Sequence, residues 1–183
     1  QQIVESVGSR VSALIGLQRE LGLRFAESAK IDAVRVLKQA EKNGIITVRD
    51  GTKGGRARTV PITRPEQISA LRAAADIQGR DRSMIPAEQR YAPFRTEAYR
   101  QIENANTSFH GNRHYYAQQR YQAIVGAPCP VAAGVSHREH HAHLSRVLGI
   151  TTSAARELDH AARMQVSSEL GHGRIDVTNA YLG

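Results

Sequence analysis

The chain has 183 residues, enough for one domain with a full core, and its 25 Lys plus Arg exceed 17 Asp plus Glu by a net +8, which favours a polyanion such as nucleic acid. The basic residues scatter between segments and do not line one amphipathic helix, which argues against a membrane surface, and no apolar run approaches the roughly 18 residues of a membrane span. A single cysteine, Cys129, excludes an internal disulfide, and six Tyr, three Phe and no Trp leave too few rings for a base-stacking platform, so phosphates are the expected contact.

Gln1 is not an initiator methionine and no leader-like apolar run follows it, so the chain is expected to be part of a longer intracellular protein. Residues 3–21 place Ile3, Val4, Val7, Val11, Leu14, Ile15 and Leu21 at helical spacing, which predicts an amphipathic helix ended by Gly22. Residues 25–42 carry Ile31, Val34, Leu37 and Ala40 on one side and predict a second helix stopped by Asn43-Gly44, although the run 34–37 also suits a strand. Two β-branched runs, 45–49 and 57–62, flank Asp50-Gly51-Thr52-Lys53-Gly54-Gly55 and predict a hairpin with a glycine-rich tip. A two-stranded hairpin has little stability alone, so it must pack on helices.

Thr63 and Glu66 read as a capping box that opens a helix ending near Gly79. Pro86 and Pro93 mark an irregular connector that carries Arg80, Arg82, Arg90 and Arg95. Residues 96–125 are helical with a break at Thr107 and Ser108, either of which can cap a helix starting around His110. Residues 126–134, with two prolines, form a loop; Ser136 caps a helix to Leu148, and 151–169 is a further long helix. The closing stretch 170–182, LGHGRIDVTNAYL, ends that helix at Gly171, offers His172, and puts Tyr181 on a short helix with Asp176 as its N-cap. No internal repeat and no low-complexity tract interrupts this order.

Each polar candidate has a bland reading of its own. Arg24 and Glu27 are an i,i+3 pair just after a helix break, where Glu27 can brace the guanidinium, yet most such pairs are surface ion pairs of little consequence. Lys53 at the hairpin tip, with Arg49, Arg56 and Arg58 around it, can swing toward a phosphodiester and protonate a leaving alkoxide; alone it is a soluble turn, and GTKGGRA does not satisfy the Walker pattern. His110 and Arg113 share a face near a helix start whose free amides favour phosphate. A tyrosine hydroxyl titrates near ~10 and is a poor nucleophile at neutral pH, so Tyr181 matters only if cations gather around it. His137, His140, His141 and His143 could present a metal from one helix face, but no cysteine is near and neither zinc-protease order occurs, so no metal site is predicted. His160 reads as surface or core filler, and Tyr91, Tyr99, Tyr115, Tyr116 and Tyr121 as packing.

The strings GLRFAE, TKGGRARTVPI, FHGNRH and LGHGRIDVTNAYL stand in an order that resembles the boxes of the tyrosine recombinases, the phage integrase family, over residues 22–182. Any one string is weak, whereas the ordered set is specific. The resemblance implies a mainly α fold with a small antiparallel β-sheet (α+β), the tyrosine recombinase catalytic-domain fold, here as a single catalytic domain over 1–183. It also implies a site-specific recombinase or integrase of a phage or other mobile element, which cleaves and rejoins double-stranded DNA attachment sites through a 3′-phosphotyrosine, with no cofactor and no metal.

Carried over by position, Tyr181 is the nucleophile, Arg24 and Arg113 clamp the nonbridging oxygens, Lys53 protonates the leaving oxygen, His110 assists proton transfer at the tyrosine, and His172 donates to the phosphate. Glu27 orients Arg24, His114 supports Arg113, and Arg49, Arg56 and Arg58 are candidate contacts to DNA phosphates. The gap between Arg113 and His172 is longer than that family shows, which places an inserted segment at about 126–150, and the strand usual before Ile45 reads as helix. Upstream DNA-binding domains are expected outside the chain, a tetramer on DNA is expected for the whole protein and a monomer for this portion, and the bacterial cytoplasm or nucleoid is the expected compartment. The alternatives are a noncatalytic DNA-binding regulator of the same fold and a type IB topoisomerase that relaxes DNA without choosing partners.

Overall fold

Leucines three and four apart build the first helix of the computed structural model, α1 (Ser9–Leu21), whose Leu14, Leu17 and Leu21 are fully buried, each contributing roughly 1.5–3 kcal/mol of burial. The structure describes residues 8–172 and 174–183, so Ile3, Val4 and Val7 of the expected helix lie outside the described residues. Gly22 ends α1 in the left-handed conformation, as its position after the last apolar residue predicts. The described chain divides into two compact units between Arg113 and His114.

In the first unit the helix expected over 25–42 is two helices, α2 (Phe25–Lys30) and α3 (Ala33–Asn43). The break has two causes, one near and one distant in sequence: Asp32 accepts from the amide of Arg35 at 3.1 Å, and Gln78 Oε1 takes the Ala33 amide at 2.6 Å, which satisfies the donors of a fresh helix start. Residues 34–37 are therefore helical, not strand. The hairpin is present as β1 (Ile45–Val48) and β2 (Arg58–Pro61), antiparallel with Ile46 opposite Val60, and a 3₁₀ turn (Lys53–Gly55) lies in its loop. Ile46, Val48 and Val60 are buried, which supplies the packing that a lone hairpin lacks.

The next helix, α4 (Pro65–Gln78), packs on α1 and α3 and stops at Gly79. Its cap is displaced from the expected Thr63–Glu66 box: Gln67 Oε1 accepts from the amides of Thr63 and Arg64 at 2.7 and 3.1 Å, while Pro65 takes the first helical position. Pro93 and Arg95 belong to helix α5 (Tyr91–Ile102), not to the connector, because a proline in the first turn gives up an amide that has no helical acceptor. Helix α6 (Phe109–Val125) follows; Ser108, rather than Thr107, caps it by accepting from the Gly111 amide at 2.9 Å. Residues 109–113 belong to the first unit, where Phe109 meets Phe25 edge-on at 4.8 Å between ring centroids.

The second unit is helical throughout its described elements: the remainder of α6, α7 (Pro130–Ala133) within the expected loop, α8 (His140–Leu148), α9 (Thr152–Leu170) and α10 (Ile175–Leu182). Ser136 accepts from the Glu139 amide in a turn, and the helix begins only afterwards, at His140. Thr151 caps α9 as a true N-cap, accepting from the Ala154 amide at 3.2 Å. Asp176 is not the cap of α10: Arg174 holds that position and Asp176 lies in the first turn, where its charge still faces the helix N-terminus. α9 packs on α8 and α10, with Leu144, Ala155, Ala162, Val166, Leu170 and Leu182 buried. Among the described residues no helix is long and apolar enough to cross a membrane.

Candidate functional site

The first unit gathers three arginines, Arg24, Arg58 and Arg113, around one carboxylate. Past Gly22 the backbone is extended at Arg24, the N-cap of α2, and Glu27 at the third helical position reaches back to the Arg24 amide at 2.7 Å. The same carboxylate accepts from the Arg24 guanidinium at 2.9 Å and from both Nη atoms of Arg58 at 2.5 and 2.8 Å. Arg113 Nη1 lies 3.9 Å from it and donates to the carbonyl of Gly22. Glu27 is fully buried, Arg113 is 2% exposed, and the Arg24 side chain keeps 27% of its surface.

Burial by itself pushes the Glu27 carboxyl up, but the Arg58 hydrogen bonds and charge, the Arg24 amide and the Arg113 charge outweigh it and hold the group below the usual carboxylate range. Glu27 is thus ionised at neutral pH, and three guanidiniums converge on its one carboxylate. An arrangement with its cations pre-oriented is suited to a phosphate, whose charge it meets without reorganisation.

Arg58 differs from expectation. As one of the hairpin arginines it was to face a DNA backbone from the surface; instead it is 8% exposed and bound to Glu27, because β2 alternates and Arg58 shares the inward face with Val60. That phase relation, two residues from a buried valine, is the signal that could have found it. Arg49 and Arg56 are exposed, as is Lys53 in the 3₁₀ turn of the loop. The hairpin loop meets α2 at Gly51, where a Cβ would fall 2.4 Å from the carbonyl oxygen of Ala26.

His110 and Arg113, expected on a common face, part company. Arg113 turns into the cluster, whereas His110 is exposed and lines a cleft of about 520 Å³ with Tyr99, Ile102 and Phe109.

In the second unit the candidate residues converge on Tyr181. After Gly171 the chain turns sharply, the His172 amide donating to the Ser167 carbonyl at 2.9 Å, and His172 Nδ1 lies 3.0 Å from the hydroxyl of the buried Thr178. The Tyr181 ring stacks on His114 at 4.2 Å between centroids and 22° between planes, and the His172 ring stands 5.1 Å away. His114, expected to serve Arg113, thus has its described contact with the tyrosine. Tyr181 itself is 7% exposed.

A second buried network adjoins it, unforeseen from the sequence. The Tyr121 hydroxyl donates to Asp159 at 2.5 Å and lies 2.9 Å from His140 Nε2; His141 Nε2 is 3.2 Å from the other Asp159 oxygen. Burial pushes the Asp159 carboxyl up, but hydrogen bonds from His140 and Tyr121 and the charge of Arg163 carry it far below its ordinary value. Burial and the bond to Asp159 push the Tyr121 phenol well up. Tyr116 likewise is more than packing, donating to Glu169 at 2.7 Å. Two of the four clustered histidines are thereby engaged with a carboxylate, and among the described residues no group of three or more His, Cys, Asp or Glu is arranged to hold a metal ion.

Against known proteins, a family model described as integrase matches residues 1–122, a span that contains Arg24, Glu27, Lys53, Arg58, His110, Arg113 and His114 and ends before His172 and Tyr181. No curated protein matches the chain.

Proposed function

The chain belongs to the phage integrase family, and from that premise we propose that it is a site-specific recombinase that cleaves and rejoins DNA through Tyr181. The observation that carries this reading is the buried Glu27, on which Arg24, Arg58 and Arg113 converge in fixed positions.

In this reading Arg24 and Arg113 neutralise the nonbridging oxygens of the scissile phosphate, and the gain grows as negative charge builds in the transition state. The Tyr181 phenol oxygen attacks phosphorus and its proton leaves to a neighbouring base, with His110 assisting. The phosphorus–O5′ bond breaks, and Lys53 donates the proton that turns the leaving alkoxide into a 5′-hydroxyl. The product is a 3′-phosphotyrosine. Attack by a 5′-hydroxyl from a second duplex reverses the step and restores the phenol, so strand exchange needs no external energy source. His172 donates to the phosphate, and His114 holds the Tyr181 ring by stacking. Arg58 touches no substrate in this scheme; it keeps Glu27 ionised and in place.

The test is covalent capture. Nicked duplexes drawn from a randomised library release a short 5′-hydroxyl fragment after cleavage and trap the intermediate. A detergent-resistant protein–DNA adduct with the wild type, and none with Tyr181→Phe, supports the mechanism. An adduct that persists in Tyr181→Phe, or none across the library, overturns it.

A further inference from the structure

Helix α10 is eight residues long, too short to hold its shape without docking. Its inward face supplies Thr178, Tyr181 and Leu182, all buried, while Asp176, Val177 and Ala180 are exposed. Apolar contact alone fixes such a short helix poorly in rotation, so the polar contacts at its end decide where the Tyr181 hydroxyl points.

Two of those contacts come from one side chain. Arg163 on α9 is 3% exposed, and each arm of its guanidinium has a partner: Nε donates to both oxygens of Asp159 at 3.0 Å, Nη1 to Asn179 Oδ1 at 2.8 Å, and Nη2 to the Gly183 carbonyl at 2.9 Å. Asn179 and Gly183 stand two residues on either side of Tyr181. Asp159, four residues before Arg163 on the same helix, is itself pinned by the Tyr121 hydroxyl and His141. Two weaker ties accompany it, Gln118 Nε2 to the Tyr181 carbonyl and His137 Nδ1 to the Gly183 carbonyl, both at 3.2 Å.

We infer that Arg163, oriented by Asp159, is the positioning residue for the nucleophile: a buried latch that grips the Tyr181 helix on both sides of the tyrosine and sets its docked position. The inference rests on the reading of Tyr181 as nucleophile for its effect on rate, but not for its effect on docking. A guanidinium suits this task because its planar fork addresses three directions at once, which an ammonium cannot. Buried and charged, it also cannot let go of one partner cheaply, so the latch is either closed or open.

The experiment uses the whole 183-residue chain in four forms: wild type, Arg163→Lys, Asn179→Ala and Asn179→Asp. Hydrogen exchange of the amides in 177–182 reads docking directly, and the rate of adduct formation on the trapped substrate at saturating DNA is measured beside the DNA concentration giving half-saturation. Arg163→Lys and Asn179→Ala are expected to lose protection at 177–182 and to slow adduct formation by up to about 10²-fold, the scale on which misplacing a reacting group acts, with half-saturation unmoved. Asn179→Asp, which keeps the acceptor oxygen, is expected to regain both relative to Asn179→Ala. Unchanged protection in Arg163→Lys and Asn179→Ala overturns the latch. Lost protection with an unchanged adduct rate overturns its role in positioning. If the wild type forms no adduct, the nucleophile reading fails and the exchange data alone decide the latch.

Discussion

Both oxygens of the Glu27 carboxylate are held by the two Nη atoms of Arg58, at 2.5 and 2.8 Å, across 31 residues of sequence and with both side chains buried. The strand of the hairpin is thereby tied to the helix start that presents Arg24. A buried pair of this kind has little net value compared with apolar packing, but breaking one side of it leaves a stranded charge.

Glu27→Ala, which strands the buried Arg58, is therefore expected to destabilise the protein by about 3–5 kcal/mol, and Arg58→Met, which leaves Glu27 its bonds from Arg24, by less. The double variant is expected to lose less than the sum of the two, because Arg58 is then not left buried without its carboxylate. Urea denaturation of the four members of the cycle measures the coupling; additive losses would show that the two side chains do not depend on each other.

Stability at acid pH carries the signature of the same carboxylate. The folded-state pKa of Glu27 is depressed, so its contribution is fully present above the unfolded value of about 4.3 and is lost as pH falls through the folded value. Asp159, depressed as well, adds a loss of the same sign in the second unit. The wild type is expected to lose stability steeply below about pH 4, and Glu27→Gln to show a shallower fall over that range. Denaturation midpoints at pH 3 to 7 test the sign; parallel curves for the two proteins would remove Glu27 from the account.

Gly51 and Gly54 have similar backbone conformations but different surroundings. A Cβ at Gly51 would lie 2.4 Å from the Ala26 carbonyl oxygen, whereas none of the surrounding atoms comes within 4 Å of one at Gly54. Gly54→Ala is expected to cost only the conformational strain of about 1–2 kcal/mol, and Gly51→Ala distinctly more. Thermal melts compare them, and equal losses would mean that the hairpin loop does not depend on its contact with α2.

Lys53 is exposed, so Lys53→Ala is expected to leave stability within about 0.5 kcal/mol of the wild type. Adduct formation, by contrast, is expected to fall about 10²-fold or more if the lysine protonates the leaving oxygen. Replacing that oxygen with sulfur, which leaves without a proton, should restore much of the rate in the variant. A lysine that only attracts DNA would give no such rescue.

DNA affinity is expected to fall linearly on a logarithmic plot against salt, with a slope of about 0.9 for each phosphate contacted. Arg49→Ala and Arg56→Ala, at exposed positions, should each reduce that slope by about one, and Arg58→Met should not. Equal effects of all three would place Arg58 at the DNA surface.

The sequence made the hairpin and the helix ends at Gly22 and Gly171 legible, because turn and cap chemistry depends on near neighbours. It misjudged the helix over 25–42, since the Gln78 side chain that caps Ala33 comes from 45 residues away. Arg24 and Glu27 could be read as a pair from their spacing, but nothing in a spacing says that Arg58 joins them: that follows from which face of β2 is buried. The network of Tyr121, Asp159 and Arg163 stayed hidden for the same reason. Only Asp159 and Arg163 are neighbours along a helix, and the ties from Tyr121 and to Asn179 exist in three dimensions alone.

The anchoring of Arg113 on the carbonyl of Gly22 has a consequence for how this protein can drift. A point mutation can delete a carboxylate, but none can delete a main-chain oxygen; it can only move it. The arginine cluster therefore has one acceptor that is genetically fragile, at Glu27, and one that every allele retains. Variation at residue 22 will be felt through the path of the backbone, and a survey of side-chain identities alone would overlook this hold on Arg113.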